Sequence, residues 1–189
     1  MKPTLLFINA CVRKESRTRR LAESILKRLD QPLEEVRVHE ISFPAVDEAF
    51  LEMRERLLAE GDISNPIFDH ARRFAEAETI VIAAPYWDPS FPAALKQYIE
   101  QINVPGITFA YTEDGIPVGL CGANRLIVVT TAGGSYVPDE YGFGYIKALA
   151  QNFYGISDVR LIKAVGLDLD GADVEAILRS ADGSIAEIE

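Results

Sequence analysis

Residue types able to bind or transform a ligand are concentrated in three short stretches. The first, Arg13 to Arg20 (RKESRTRR), gathers Arg13, Lys14, Arg17, Arg19 and Arg20 around Ser16 and Thr18, five of the nineteen basic residues in a chain of formal charge -10. Where such a stretch opens a helix, unpaired backbone N–H groups and the positive end of the helix dipole join the hydroxyls and cations, and together they can hold a phosphate. The same residues equally suit a solvated loop with a Ser or Thr cap. The second stretch, Pro85-Tyr86-Trp87-Asp88-Pro89, sets two large aromatics between prolines, where they can flank a planar ring, pack into the core or meet another subunit. In the third, Thr131-Ala132-Gly133-Gly134, the glycines let the backbone approach a ligand and donate N–H groups, although a Gly-Gly pair also serves plain chain reversal.

Each stretch follows an apolar run of strand length. Leu5 to Ile8 is apolar, and after the basic loop Leu21, Ala22, Ile25 and Leu26 repeat at helical spacing. Glu35 to Ile41 alternates as a short edge strand, Glu48 to Glu60 reads as a helix stopped by Gly61, and Asn65-Pro66 opens another helix through Ala77. Thr79 to Ala84 (TIVIAA) and Arg125 to Thr131 (RLIVVTT) are continuous apolar runs, the pattern of strands buried on both faces of a parallel sheet. Between them lie an amphipathic helix, Phe91 to Ile102, and a hairpin within Pro105 to Gly122 around Asp114-Gly115. A helix over Tyr145 to Tyr154, a strand over Val159 to Val165 and a helix over Asp173 to Ala181 complete the chain. This alternation predicts an α/β fold, a doubly wound parallel sheet of five strands in the order 2-1-3-4-5, with ligands beyond the carboxyl ends of the strands. The three stretches then converge on one crevice, and residues 1–189 form a single domain.

Composition narrows the chemistry. A pI near 4.8 argues against nucleic-acid and anionic-membrane surfaces, so a phosphate ligand must be small and locally bound. Cys11 and Cys121 are too few for a disulfide framework, an iron–sulfur cluster or a structural zinc site, and a reducing cytoplasm is the expected compartment. The first apolar run breaks at Asn9 and meets Arg13 and Lys14, unlike a signal peptide, and no run reaches transmembrane length. His39 and His70 read as structural, and no acid–base constellation accompanies them. Neither G-x-G-x-x-G nor G-x-x-x-x-G-K-[ST] occurs, so a monophosphate fits better than a dinucleotide or nucleoside triphosphate. One anion site, one aromatic wall and one backbone ledge describe a pocket for flavin mononucleotide (FMN).

Resemblance makes this specific. Ser16-Arg17-Thr18, APYWDPSFPAALKQYIE from Ala84 to Glu100, GITFAYTEDG from Gly106 to Gly115 and VVTTAGG from Val128 to Gly134 resemble the FMN-dependent NADH:quinone oxidoreductases, or azoreductases, of the flavodoxin-like superfamily. The resemblance implies that Ala10, Ser16, Arg17 and Thr18 surround the FMN phosphate end. It runs Pro85, Tyr86, Trp87, Asp88 and Pro89 along the isoalloxazine, and sets Thr131, Ala132, Gly133 and Gly134 at its pyrimidine side. It implies NADH or NADPH as hydride donor, a quinone, azo or nitroaromatic acceptor reduced by ping-pong two-electron transfer, and a homodimer. Trp87, Phe109 and Tyr111 are then the acceptor-stacking wall. Many relatives carry Met-Tyr-Asn-Phe where this chain has Tyr86-Trp87-Asp88-Pro89; here Asp88 either repels an anionic reduced flavin or, the preferred reading, accepts a backbone hydrogen bond. Two other readings stand beside this one. Cys11-x5-Arg17-Thr18 is similar to the phosphate loop of low-molecular-weight protein tyrosine phosphatases, with Cys11 as nucleophile, Arg17 as clamp and Asp88 as acid. Against it, Glu15 would sit in a loop meant for a dianion, a repulsion on the order of several kcal/mol at about 4 Å in a partly buried site. A flavin-binding electron carrier without turnover is the other.

Overall fold

The structure, a computed structural model, describes residues 4–183; the extremities of the expected 1–189 domain, residues 1–3 and 184–189, lie outside the described residues. The strands are β1 (Leu5–Asn9), β2 (Leu33–Arg37), β3 (Thr79–Ala83), β4 (Phe109–Tyr111), β5 (Pro117–Gly119), β6 (Arg125–Thr131) and β7 (Asp158–Ala164). The fourth and fifth stand outside the main sheet and pair as an antiparallel hairpin whose turn contains Gly115. The other five make one parallel sheet in the order β2-β1-β3-β6-β7, which is 2-1-3-4-5 once the hairpin is left out. The helices are α1 (Arg17–Leu29), α2 (Glu48–Ala59), α3 (Asp69–Glu76), α4 (Ala93–Ile102), α5 (Phe143–Leu149) and α6 (Val174–Gly183). Among the described residues no helix is long and apolar enough to cross a membrane.

Because side chains alternate along a strand, each buried run supplies two cores. Leu6, Ile8, Ile80, Ile82, Leu126 and Val128 pack against α3, α4 and α5 through Phe74, Leu95, Tyr98 and Ile146. Leu5, Phe7, Val81, Ile127 and Val129 pack on the other face against Leu21, Ile25 and Leu26 of α1 and Leu178 of α6. The amphipathic spacing of α1 therefore lays it on the sheet with its N-terminus at the carboxyl edge. Ser16 Oγ caps that end by accepting from the Arg19 amide at 3.2 Å, and Asp30, in the left-handed region, closes the other end by donating to Leu26 O.

Several boundaries differ from the sequence expectation, each for a local reason. The edge strand runs Leu33–Arg37 rather than 35–41, because β1 ends at Asn9 opposite Arg37 and leaves nothing to pair; Val38–Glu40 turns off as a 3-10 helix and buries Val38. The helix expected from Asn65 begins as a 3-10 turn, Pro66–Phe68, before α3. The helix expected from Phe91 starts after Pro92, and the one expected over 145–154 is α5 followed by a π-helical turn, Ala150–Tyr154. That turn carries the hairpin. A Cβ on Gly119 would stand 2.1 Å from the Gly155 nitrogen, so β5 lies directly on backbone.

Two stability predictions follow from this packing. Ile127, fully buried at the centre of the sheet, should cost about 2–5 kcal/mol when replaced by alanine, measured by denaturant unfolding. At the base of β7, Asp158 is bonded by Arg160 and by Arg125 Nε at 2.9 Å, and the Arg160 bond, with that of Arg125, holds its carboxyl below the usual carboxylate range. A depressed pKa contributes stability that is present above the unfolded value, about 3.9, and is lost as pH falls through the folded value. Asp158→Asn should therefore flatten the loss of unfolding free energy on acidification below about pH 4.

Candidate functional site

All five sheet strands run the same way, so β1, β3, β6 and β7 release their chains at one edge, and pairing continues a little beyond the strands. Ala10 N donates to Ala83 O at 2.8 Å, Tyr86 N to Thr131 O at 3.0 Å, and Asp168 N to Gly133 O at 3.0 Å. The loops so held enclose an open cleft of about 360 Å³, within the range of small-molecule sites. From the first loop it is lined by Val12, Arg13, Glu15, Ser16, Arg17 and Thr18; from the second by Pro85, Tyr86 and Trp87; from the third by Thr131, Ala132 and Gly133; and from a fourth, after β7, by Leu167 and Asp168.

One end of the cleft is built to receive an anion. The Arg17 and Thr18 amides stand in the first turn of α1, and no carbonyl among the described residues accepts from them. Thr18, buried beneath them, shares a 2.6 Å hydroxyl–hydroxyl bond with Thr131. Such a pair holds two hydroxyl protons and uses one between its oxygens, which leaves the second for a ligand. The basic cluster, however, is largely committed. Arg19 pairs with Glu23 at 2.8 Å, Arg20 with Glu175 at 2.7 Å and Arg17 with Asp168 at 2.7 Å; Arg13 and Lys14 have no carboxylate partner among the described residues.

The other end is aromatic and glycine-floored. Trp87 and Ser90 exchange backbone hydrogen bonds of 3.1 and 2.7 Å around a two-residue turn, which leaves the indole 40% exposed beside the cleft. The Tyr86 hydroxyl is buried without a partner among the described residues. Across from them, the carbonyls of Gly133 and Gly134 accept from Asp168 and Gly166, and both glycine amides remain unpaired among the described residues. Such an end can hold a flat heteroaromatic ring by face contact and by hydrogen bonds to its edge.

Of the thirteen residues expected around a cofactor, Ser16, Arg17, Thr18, Pro85, Tyr86, Trp87, Thr131, Ala132 and Gly133 line the cleft. Ala10 does not: it is fully buried in the sheet core. Gly134 lies just outside, tied by its carbonyl to Gly166 at 2.9 Å. Asp88 and Pro89 form the exposed tip of the turn beyond Trp87, and no donor reaches the Asp88 carboxylate among the described residues, so the expected backbone hydrogen bond is not made. Phe109 and Tyr111, the expected acceptor wall, lie away from the cleft of their own chain. Their hairpin is attached where β6 begins, through Gly122 N to Ala75 O and Asn124 N to Glu78 O, and so stands at the opposite end of the sheet from the cleft of the same chain. Phe109 is buried there against Phe153, and Tyr111 is 55% exposed. Reading only the loops after the first, third and fourth sheet strands missed Leu167 and Asp168; the signal was Gly166, φ 76°, turning the chain at the end of the fifth.

The nucleophilic-cysteine reading fails on burial. Cys11 is 4% exposed, its Sγ faces Ala83 O at 3.7 Å, and burial pushes its thiol up to about 11, whereas such a mechanism needs an accessible thiolate. Neither histidine lines the cleft; His70 packs on Tyr98 and Phe43, where burial lowers its pKa.

Known proteins share this architecture along nearly the whole chain. The chain is 36% identical over 188 residues, 93% of its length and 92% of the relative's, to a protein of Clostridium acetobutylicum named FMN-dependent NADH:quinone oxidoreductase 2. It is 37% identical over 172 residues, 86% of this chain and 85% of the relative, to an FMN-dependent NADH:quinone oxidoreductase of Coprothermobacter proteolyticus. Among solved structures, an azoreductase from Bacillus anthracis Sterne shares the fold with a TM-score of 0.83 at 22% identity over 97% of each chain. An FMN-dependent NADH-azoreductase from Bacillus anthracis Ames Ancestor, in complex with FMN, gives a TM-score of 0.78 at 26% identity over 97% of this chain and 98% of that one. The sequence profile of Flavodoxin_2, described as a flavodoxin-like fold, matches residues 3–188, and the chain belongs to that family.

Proposed function

We propose that this protein is an FMN-dependent NAD(P)H oxidoreductase that reduces quinones, and azo or nitroaromatic compounds of similar flat shape, by ping-pong two-electron transfer. The observation that carries the reading is the cleft itself, with its two chemically unlike ends, in a chain that is 36% identical over 93% of its length to an enzyme named for this reaction. The residues fit FMN. Ser16, Thr18, the free amides of the first α1 turn and the Arg17 guanidinium would hold the phosphate, and the Gly133 and Gly134 amides would donate to the ring edge beside Tyr86 and Trp87. When bound, FMN supplies the hydride-accepting and hydride-donating chemistry.

The chain's own part is to bind, orient and exclude. Thr18 and Thr131 tie the anion end to the ring end through one hydroxyl bond, which fixes their separation. Trp87 borders the open side, where a planar nicotinamide and then a planar acceptor would stack in turn. Beyond the hydride, reduction of a quinone needs a single proton, which water at the open cleft would supply, so no buried acid or base is needed there. The acceptor wall is completed from a second copy: Tyr111, Ile116, Val118 and Leu120 leave the hairpin with exposed apolar side chains, which a homodimer covers by bringing one subunit's hairpin to its partner's cleft. The flavodoxin-like unit of each subunit works in the cytoplasm.

The purified protein should be yellow and should oxidise NADH or NADPH only when a quinone is present, followed by absorbance at the flavin and nicotinamide bands. A colourless protein that takes up no added FMN would contradict the reading, and flavin binding without nicotinamide-dependent turnover would select an electron carrier. Arg17→Ala should weaken FMN binding by roughly 1–3 kcal/mol, measured by titration, as expected for loss of a charge-assisted bond to phosphate. In sedimentation the protein should run as a dimer, and Tyr111→Ser should raise KM for the quinone more than it lowers kcat.

A further inference from the structure

Asp168 reaches across the cleft from the loop after β7. Its carboxylate Oδ1 accepts from Arg17 Nη1 at 2.7 Å, and the same guanidinium nitrogen reaches Leu167 O at 3.3 Å. Its other oxygen, Oδ2, hangs over the glycine floor: a Cβ built on Gly133 would fall 2.1 Å from it. One side chain thus spans both ends of the cleft, neutralising the cation at the anion end and covering the ledge at the ring end. The backbone beneath it is not free to move away. Gly166 N donates to Gly134 O at 2.9 Å, Leu167 N to Ala132 O at 3.2 Å and Asp168 N to Gly133 O at 3.0 Å, and Leu167 is 3% exposed. The side chain itself is 68% exposed and turns about two bonds.

We infer, on the basis of the function proposed above, that Asp168 is an internal competitor for the cofactor: in the flavin-free protein its carboxylate occupies Arg17 and the Gly133 ledge, and FMN binds by displacing it. The chemistry sets the direction of the exchange. A phosphate monoester brings nearly two negative charges and three acceptor oxygens, against one charge and two oxygens on the carboxylate, so the guanidinium prefers it. The two anions repel each other across one cation, and Asp168 leaves by a rotamer change into water, with its backbone unmoved. The contact pairs the Arg17 guanidinium with a carboxylate, so its charge is compensated within the chain. Because the Arg17–Asp168 pair is exposed, it is weak, and the penalty it places on FMN is small.

The test is a double-mutant cycle on FMN affinity, read by quenching of flavin fluorescence in apoprotein titrations of the wild type, Asp168→Asn, Arg17→Ala and the double variant. Asparagine keeps the shape over Gly133 and removes the charge, so Asp168→Asn should tighten FMN binding about two- to five-fold, the worth of an exposed ion pair. That gain should vanish in the Arg17→Ala background. Unchanged or weaker FMN binding by Asp168→Asn would overturn the inference, with Asp168 then serving only to brace Arg17. A gain that survives without Arg17 would overturn it in favour of plain charge repulsion. Failure of all four proteins to bind FMN would overturn both this inference and the function on which it rests.

Discussion

In a parallel sheet every strand pairs its main chain with neighbours running the same way, and every strand lets go of those neighbours at the same edge. Here β1, β3, β6 and β7 end close to one another, and the amides and carbonyls just past their ends either find short continuations of the ladder or remain available. The cleft exists because of that shared edge. Its floor is backbone from Thr131 to Gly133, its anion end is the unpaired first turn of a helix laid on the sheet, and its aromatic side is the turn leaving β3. None of these pieces is near another in sequence, and the ladder alone brings them together.

The structure holds the two ends of the cleft in a fixed relation through a single buried bond between Thr18 and Thr131 at 2.6 Å. Both threonines are nearly inaccessible, and a hydroxyl left unpaired there would cost about 1–3 kcal/mol, so their pairing is part of the fold as well as of the site. The ion pair between Arg17 and Asp168 is of the opposite kind, with both side chains well exposed and the bond cheap to exchange. A rigid frame under a replaceable surface contact suits a site that must first hold itself open and then admit a charged group.

Much of the architecture is legible in the pattern of apolar residues. TIVIA and RLIVVTT can satisfy neither water nor a one-sided sheet, so they become strands covered on both faces. The spacing of Leu21, Ala22, Ile25 and Leu26 requires a helix with one face on that sheet, and Asp114-Gly115 requires a turn. Boundaries were less legible because they depend on partners. EVRVHEI continues to alternate past Arg37, but β1 has no residue left to pair with it. The π-helical end of the helix after β6 likewise answers to the hairpin packed against Gly155.

For the site, the sequence by itself determined the chemical types and the loops that carry them: a basic, hydroxyl-bearing helix start, an aromatic turn and a Gly-Gly ledge, since each is a local consequence of residue type and of position at a strand end. Tertiary structure decided which of these residues meet. It removed Ala10 to the core and Asp88 to solvent, sent Phe109 and Tyr111 to the far end of the sheet, and brought in Asp168 from a loop 151 residues beyond Arg17. Those assignments depend on strand order and on through-space distance between charges, which no local pattern encodes, because a Coulomb contact is set by where two side chains end up and is indifferent to how far apart they began.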